Sequence, residues 1–288
     1  MDDILAAARR WYAEDLRCRA PVQRNLHLID AFAAVPRERF IGPGPWRIIP
    51  DPRPHDAFLT PDDDPRWVYH DVLVTIDVSR NLNNGLPSFW ARNLEHLDLA
   101  RGERVLQVGA GTGYYSAVLA EIVGPAGRVT AIEIDPELAS RARANLANWP
   151  QVDVIAGDGR AIDAGEFDAV IVFAGSTHPS RQWLDRLVEG GRLLMPLTHE
   201  SWWGFLLRVI RHGGGFAACS IGGVGIYPCM GGRDEDAGKR LQAALERLSP
   251  GKVPIRALHV GDPAPCDAER VWYQAQGFWL ERETAGTA

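Results

Sequence analysis

Basic residues are outnumbered by acidic ones in this chain of 288 residues. Lys and Arg total 31 against 37 Asp and Glu, so the formal net charge is −6, and no basic stripe interrupts the sequence. Proteins that bind nucleic acid through its phosphates are usually basic, either as a whole domain or along one face. We therefore expect no nucleic-acid partner.

Cysteines and long apolar runs are also scarce. The four cysteines, Cys18, Cys219, Cys229 and Cys266, lie far apart, without a CxxC pair or a His at zinc-ligand spacing. This pattern indicates neither a metal site nor a disulfide scaffold, so we expect no metal and a reducing compartment. No apolar run approaches the roughly 20 residues of a membrane-spanning helix, and residues 1–17 have acids where a signal peptide has bases. These features predict a cytoplasmic protein with no membrane partner.

The first hundred residues combine helical patterns with an irregular connection. Apolar residues recur at helical spacing over 4–16 and over 23–34, and Pro36 ends the second pattern. Between Pro43 and Pro65 there are seven prolines. That density predicts a long connection over 42–65 without a regular helix or a central strand, and such connections are often functional.

From residue 104 to 198, short apolar runs bounded by glycine alternate with helical stretches, the last of them over 181–191. This alternation predicts parallel βαβ units in a doubly wound, mostly parallel Rossmann-like sheet. After His199, glycine-punctuated runs predict antiparallel strands, then a helix over 236–248 and further strand pairing. The expected α/β organisation has three parts: an N-terminal helical segment in 1–98, the Rossmann-like core in 99–232 and a C-terminal α+β extension in 233–288.

A glycine-rich segment, VGAGTGYYSAV, stands between the first strand of the expected sheet and the following helix. Gly109, Gly111 and Gly113 there permit a tight turn and close approach of a nucleotide-like cofactor. Glu133 ends the next strand, where its carboxylate can accept hydrogen bonds from both hydroxyls of a ribose. Asp158, in IAGDG, follows the third strand at the same sheet edge. Plain turns and helix caps would account for each element singly, but less well for all three together.

Tyr114 occupies the position of the third glycine in a dinucleotide-binding GxGxxG motif. This substitution argues against a pyrophosphate at the loop. It favours S-adenosylmethionine, which has no phosphate and needs its amino-acid tail laid over the glycines. An NAD-linked oxidoreductase is the alternative that a binding assay with both ligands would test.

With these motifs the chain resembles the protein-L-isoaspartate O-methyltransferases, a branch of the class I S-adenosylmethionine-dependent methyltransferases. The resemblance runs from about Leu28 to Pro228. Its most specific segments are IDAFAAVPRERFIG, YHDVLVTI, VLQVGAGTGYYSAVLA, IEID, GDG, FDAVIVFAG and LVEGGRLLMPL. VGIYPCMGG is similar to the family's late strand that closes over the substrate. The resemblance implies cofactor binding by the three glycines and two acids named above.

Two positions depart from the family's pattern. Gln107 stands where the family usually has Glu or Asp before the glycine loop, and its amide can still donate and accept hydrogen bonds to the cofactor. The family's substrate signature, Gln-Thr-Ile-Ser-Gln-Pro, is replaced within SRNLNNGLPSFW. Asn83 takes the place of the active-site serine if the segments are aligned from the left, and Gly85 takes it if they are aligned from Pro87. Neither has a hydroxyl, so we expect poor methylation of isoaspartyl peptides.

The acceptor decides which side chains the chemistry needs. Methyl transfer from a sulfonium is an in-line displacement that requires the nucleophile about 3 Å from the methyl. A carboxylate is already anionic at neutral pH and needs only aiming, for which Asn83 and Asn84 are candidates. A hydroxyl or an amine would need a base, and His178 is best placed for that role. Asn83 and Asn84 would also suit an ordinary turn, and His178 would also suit an ordinary surface loop.

The sequence therefore predicts an S-adenosylmethionine-dependent O-methyltransferase that acts on a carboxyl of a peptide or small molecule. A small-molecule O- or N-methyltransferase is one alternative. A cofactor-binding protein without turnover is another, because the family's serine is missing.

Overall fold

A computed structural model describes residues 2–50, 56–161, 165–248 and 253–283 of the chain. The described helices are α1 Asp2–Arg19, α2 Leu26–Ala34, α3 Glu38–Ile41, α4 Pro87–Glu95, α5 Tyr114–Val123, α6 Pro136–Asn145, α7 Arg181–Asp185 and α8 Glu235–Glu246. The described strands are β1 Arg47–Ile49, β2 Phe58–Leu59, β3 Leu73–Asp77, β4 Leu82–Asn83, β5 Arg104–Val108, β6 Arg128–Glu133, β7 Val152–Ala156, β8 Phe167–Val172, β9 Leu187–Thr198, β10 Trp203–His212, β11 Gly215–Gly225, β12 Ile255–Val260, β13 Val271–Ala275 and β14 Phe278–Arg282. None of the helices described here is both long enough and apolar enough to cross a membrane.

The chain forms two compact units. The first comprises Met1–Glu103 with Ala110–Gly157, and the second comprises Arg104–Gly109 with Asp158–Ala288. The three-part division inferred from the sequence follows changes in composition instead, and it stays a prediction.

The first unit begins with the two predicted helices, α1 and α2. Asn25 caps α2, because its side chain accepts a hydrogen bond from the backbone N–H of Leu28 at 3.2 Å. The apolar face of α2 is buried, with Leu28 and Phe32 fully inaccessible to solvent. Both predicted helices are confirmed.

A small antiparallel sheet with the strand order β2-β1-β3-β4 follows in the same unit. The expectation that 42–65 holds no central strand is wrong, because β1 lies between β2 and β3. Pro45 and Pro50 both fall outside the three residues of β1, so neither removes a donor from its ladder. Residues 51–55 of the predicted connection lie outside the described residues.

The first unit also contains a parallel pair, β6 and β7, joined through α6. Their register runs from Val129 opposite Val152 to Glu133 opposite Ala156. Asp135 caps α6 by accepting hydrogen bonds from the N–H groups of Glu137 and Leu138. This is one of the βαβ units that the sequence predicts.

The second unit arranges its strands in the order β13-β14-β12-β11-β10-β9-β8-β5. β8 pairs in parallel with β5 and with β9, whereas the pairs from β9 to β13 are antiparallel. Residues 169–172 of β8 are fully buried, as in a strand covered on both faces. The predicted antiparallel strands after His199 are confirmed, and Gly213 and Gly214 form the turn between β10 and β11 with φ of +58° and +78°.

The helix predicted over 181–191 is wrong in its second half. α7 ends at Asp185, and β9 already begins at Leu187. Gly190 has a φ of +77°, which a helix does not accommodate. The later helix predicted over 236–248 is confirmed as α8.

Candidate cofactor and acceptor sites

In the first unit the glycine loop is held against the end of β6. Ala110 donates its N–H to the carbonyl of Ile132 at 3.0 Å. Gly111 donates its N–H to Glu133 Oε2 at 2.7 Å, and Oε1 of the same carboxylate accepts the N–H of Asp135 at 3.0 Å. An ionised carboxylate offers about four lone-pair positions, so each oxygen of Glu133 retains acceptor capacity. The structure thus brings together two of the predicted cofactor residues.

Gly111 and Gly113 lack side chains for different physical reasons. Gly111 has a φ of +57°, and a Cβ built there would have no other described atom within 4 Å. It therefore borders a space that a ligand could fill. Gly113, at the start of α5, has a φ of +95°, and a Cβ there would lie 2.8 Å from Leu146 Cδ1. Gly113 is thus required by packing in addition to any role at a ligand.

In the second unit, Gln107 and Gly109 lie at the end of β5. Gln107 is fully buried, and the carbonyl of Val108 accepts the N–H of Phe173 at 2.8 Å. Gly109 has a φ of +85°, which favours glycine. Gly159 packs on the same strand, since a Cβ there would lie 2.7 Å from Val108 Cγ1.

Asp158 is paired with Arg160, a residue that the sequence-based search missed. Arg160 Nη2 lies 2.6 Å from Asp158 Oδ2, and Arg160 Nε lies 3.1 Å from Oδ1. The side-chain hydrogen bond from Arg160 lowers the pKa of Asp158, so this carboxyl is ionised at neutral pH. Arg160 also donates to the carbonyl of Gly231. The arginine two positions after the acid in GDGR was the available signal.

The two candidate asparagines hold the loop between β4 and α4, within the first unit. Asn83 Oδ1 accepts the N–H of Gly85 at 2.9 Å. Asn84 Oδ1 accepts hydrogen bonds from Arg37 Nη2 at 2.9 Å and Nε at 3.0 Å, and both residues are buried. Arg37 was also missed, because 47 residues separate it from Asn84 and only folding brings them together. A role of Asn83 and Asn84 toward the acceptor stays a prediction.

Gly85 lies in this loop, and Pro87 is the first residue of α4. In the alignment from Pro87, Gly85 takes the place of the family's serine. Gly85 has a φ of +81°, and a Cβ there would lie 2.9 Å from Trp90 Nε1 and 3.1 Å from Tyr115 Cε2. Two aromatic rings therefore occupy the room that a serine side chain would need.

His178 follows β8 in the second unit and is half-buried. Its Nδ1 lies 2.9 Å from Thr177 Oγ1, which also accepts the N–H of Asp234 at 3.0 Å. Burial lowers the pKa of His178, so the imidazole is neutral at pH 7. Its ring stacks on Phe278, with 6.4 Å between the ring centroids.

The sequence matches a known family and curated relatives. A family model described as protein-L-isoaspartate(D-aspartate) O-methyltransferase matches residues 54–215. The protein-L-isoaspartate O-methyltransferase of Ignicoccus hospitalis is 33% identical over 181 residues, which cover 62% of this chain and 84% of the relative. The protein of the same name from Rhodopseudomonas palustris is 33% identical over 213 residues, which cover 71% of this chain and 85% of the relative.

Solved structures of proteins with this name share the fold. One protein-L-isoaspartate O-methyltransferase aligns with a TM-score of 0.65 at 19% identity, covering 96% of this chain and 88% of its own. A second, from Plasmodium falciparum in complex with S-adenosyl-L-homocysteine, aligns with a TM-score of 0.59 at 18% identity, covering 77% of this chain and 97% of its own. The predicted Rossmann-like methyltransferase fold is confirmed. Because the family model spans more than half of the sequence, this chain belongs to the protein-L-isoaspartate O-methyltransferase family of S-adenosylmethionine-dependent methyltransferases.

Proposed function

We propose that this enzyme transfers the methyl group of S-adenosylmethionine to a carboxylate of a peptide or small molecule, without the serine contact of the family's usual signature. The observation that carries the proposal is the packing at Gly85. Trp90 and Tyr115 are both at most 5% exposed, and they leave no room for a serine side chain at that position. The acceptor carboxylate is therefore recognised by other groups, and isoaspartyl peptides are poor substrates.

The glycine loop fits the cofactor on a direct observation, the space beside Gly111 that a side chain would fill. The residues that would hold the cofactor are Gln107, Gly109, Gly111, Gly113, Glu133 and Asp158. Glu133 is 7% exposed and retains acceptor capacity on both oxygens, which suits ribose hydroxyls. When bound, S-adenosylmethionine supplies an electrophilic methyl group on a sulfonium.

A carboxylate acceptor agrees with the state of His178. A carboxylate is anionic at neutral pH and attacks without a base. The Nδ1 of His178 contacts the Thr177 hydroxyl, so this nitrogen is not open to an acceptor that would need a base. The name of the relatives also specifies an O-methyltransferase of isoaspartate, whose acceptor is a carboxyl group.

The test is the chemistry of the product. The purified protein is incubated with methyl-labelled S-adenosylmethionine and cell extract, and the products are treated with mild base. Methyl esters release volatile methanol, whereas methyl ethers and N-methyl groups keep their label, so we expect most of the label to become volatile. Label that survives base would instead support a hydroxyl or amine acceptor. Cofactor binding without any transfer would support a protein without turnover.

Two matched samples complete the experiment. The Gly111→Val variant should incorporate no label, because its side chain would fill the cofactor space. A synthetic isoaspartyl peptide tested beside its aspartyl isomer should be methylated at only a small fraction of the rate of an authentic repair enzyme assayed in parallel. Methylation of the isoaspartyl peptide at a comparable rate would contradict the conclusion drawn from Gly85.

A further inference from the structure

A cavity of about 530 Å³ opens in the second unit. The residues that line it follow the loop of Asn83 and Asn84 by more than 70 positions along the chain. Its walls come from described residues within 158–161 and 178–184, from Val260 of β12, and from residues 276–278, which lead from β13 into β14. Residues 276–278 of that turn lie beyond the family match at 54–215. The C-terminal extension therefore contributes one wall of the cavity.

The cavity is apolar at its base and polar at its opening. Phe278 and Leu184 line it and are 3% and 1% exposed, so they form a buried floor. Arg181, Gln182 and Gln276 line it as exposed residues, so they form the rim. Ligand sites of this size typically combine an apolar lining with a few polar groups that set orientation.

His178 contributes a hydrogen-bond donor to this cavity. The Thr177 hydroxyl accepts the N–H of Asp234, and its own hydrogen can point to His178 Nδ1 at 2.9 Å. We assign the proton of the neutral ring to Nε2, which is the tautomer in which Nδ1 accepts that hydrogen. His178 then serves as a hydrogen-bond donor and not as the base predicted from the sequence.

The charges of the lining favour an anion. Arg160 and Arg181 line the cavity with one acid, Asp158, so their formal sum is positive. Arg160 pairs with Asp158, and Arg181 pairs through Nε with Asp185, which does not line the cavity. A guanidinium has five N–H donors, so the terminal nitrogens of Arg181 remain available beyond its Nε contacts.

We propose that this cavity binds a ligand that combines a carboxylate with an aromatic or apolar group. The carboxylate is held at the donor-rich rim, and the apolar part lies on the floor of Phe278 and Leu184. This binding site goes beyond the proposed methyl transfer and does not depend on it. It also gives the C-terminal extension a role in ligand binding.

The probe pair is phenylacetate and phenylacetamide, which share a shape but differ in charge. Each is titrated into the full-length protein saturated with S-adenosylhomocysteine, and binding is followed by NMR. We expect phenylacetate to bind at least tenfold more tightly than phenylacetamide. His178→Ala should weaken phenylacetate binding at least fivefold, whereas His178→Gln, which keeps an N–H donor, should retain most of it. His212→Ala is the matched control, because His212 is exposed and does not line the cavity.

Gln276→Ala provides a variant that should fold normally, because Gln276 is exposed in a hairpin turn. It should weaken phenylacetate binding at least threefold and leave the affinity for S-adenosylhomocysteine unchanged. Equal affinity for the two probes, or absence of binding by both, would overturn the proposal. A parallel loss of S-adenosylhomocysteine affinity would also overturn it, since the cavity would then belong to the cofactor.

The cavity site and the proposed methyl transfer can fail independently. Base-labile product without selective binding of phenylacetate would refute the cavity site and leave carboxyl methylation standing. Base-stable product together with selective phenylacetate binding would refute carboxyl methylation and leave the carboxylate site standing.

Discussion

The side-chain oxygen of Asn84 accepts two hydrogen bonds from the guanidinium of Arg37, from Nη2 at 2.9 Å and from Nε at 3.0 Å. Arg37 is fully buried, and its guanidinium also donates hydrogen bonds to the backbone carbonyls of Val68, His70 and Val72. Burying a charge is costly unless its N–H groups have acceptors. Asn84 is therefore part of the structural support of the loop that precedes α4.

Asn84→Ala should destabilise the protein by about 2 to 4 kcal/mol, because it leaves two N–H groups of a buried cation without their acceptor. Asn84→Asp, which keeps a side-chain oxygen at that place, should lose less. Urea unfolding followed by circular dichroism measures both. Asn83→Ala is the comparison, since Asn83 is half-buried and its oxygen accepts a turn N–H. Equal losses at the two asparagines would contradict the structural role of Asn84.

Gly85→Ser should not create a working copy of the family's serine. The change meets Trp90 and a φ of +81°, so we expect a loss of about 2 to 4 kcal/mol of stability and no gain in isoaspartyl methylation. Gly102→Ser is a matched control, because Gly102 has a φ of +86° and a Cβ there would have no described atom within 4 Å. It should show the conformational cost alone, about 1 to 2 kcal/mol. A stable Gly85→Ser variant with raised isoaspartyl activity would refute this account.

Gly111→Val should abolish binding of S-adenosylhomocysteine while the protein stays folded. The substitution costs roughly 1 to 2 kcal/mol through the backbone conformation, and its side chain enters the cofactor space. Gly213→Val is the matched control, because Gly213 has a φ of +58° and a Cβ there would have no described atom within 4 Å. Calorimetry should show a similar stability loss for both and a loss of affinity only for Gly111→Val. The parent protein should bind S-adenosylhomocysteine more tightly than NAD.

Glu133→Ala and Asp158→Ala should each weaken cofactor binding by about 1 to 3 kcal/mol, the usual effect of removing a buried or charge-assisted hydrogen-bond partner. Asp158→Ala also frees Arg160 from its ion pair. The double variant Asp158→Ala with Arg160→Ala therefore separates the direct effect from the effect of an unpaired arginine. Calorimetric dissociation constants that are unchanged in both single variants would place the adenosine elsewhere.

Stability should depend on acid pH through Glu281, which is 3% exposed. Burial acts against ionisation, but hydrogen bonds from Arg256, His259 and Arg270 prevail and lower the pKa of Glu281 from 4.5 to about 2. The folded state therefore gains stability from this carboxylate above pH 4.5 and loses it as the pH falls toward 2.

Glu281→Gln should reduce the free energy of unfolding by about 1 to 3 kcal/mol at pH 6, and the difference from the parent should shrink as the pH approaches 2. Urea midpoints at pH 6, 4 and 3 measure this trend. Glu269→Gln, at an exposed position, is the control. A difference that stays constant across this range would show that Glu281 contributes by packing and not by its charge.

The class of the fold and the positions of the cofactor motifs follow from the sequence alone. The apolar run at residues 169–172 of β8 and the glycines that follow β5 are both patterns of neighbouring residues. Burial on both faces of the sheet requires the apolar run, and the tight turn requires the glycines. The resemblance to the methyltransferase family rests on such contiguous segments. The assignment of this chain to the family therefore requires no knowledge of its tertiary contacts.

Tertiary structure decided the roles of side chains whose partners are distant along the chain. Arg37 reaches Asn84 across 47 residues, and His178 meets Phe278 across 100 positions in the numbering. The backbone conformation at Gly85, with Trp90 and Tyr115 beside it, is likewise invisible to an alignment that compares only residue types. Periodicity reports which face of an element is buried, whereas which buried groups meet depends on how the elements pack.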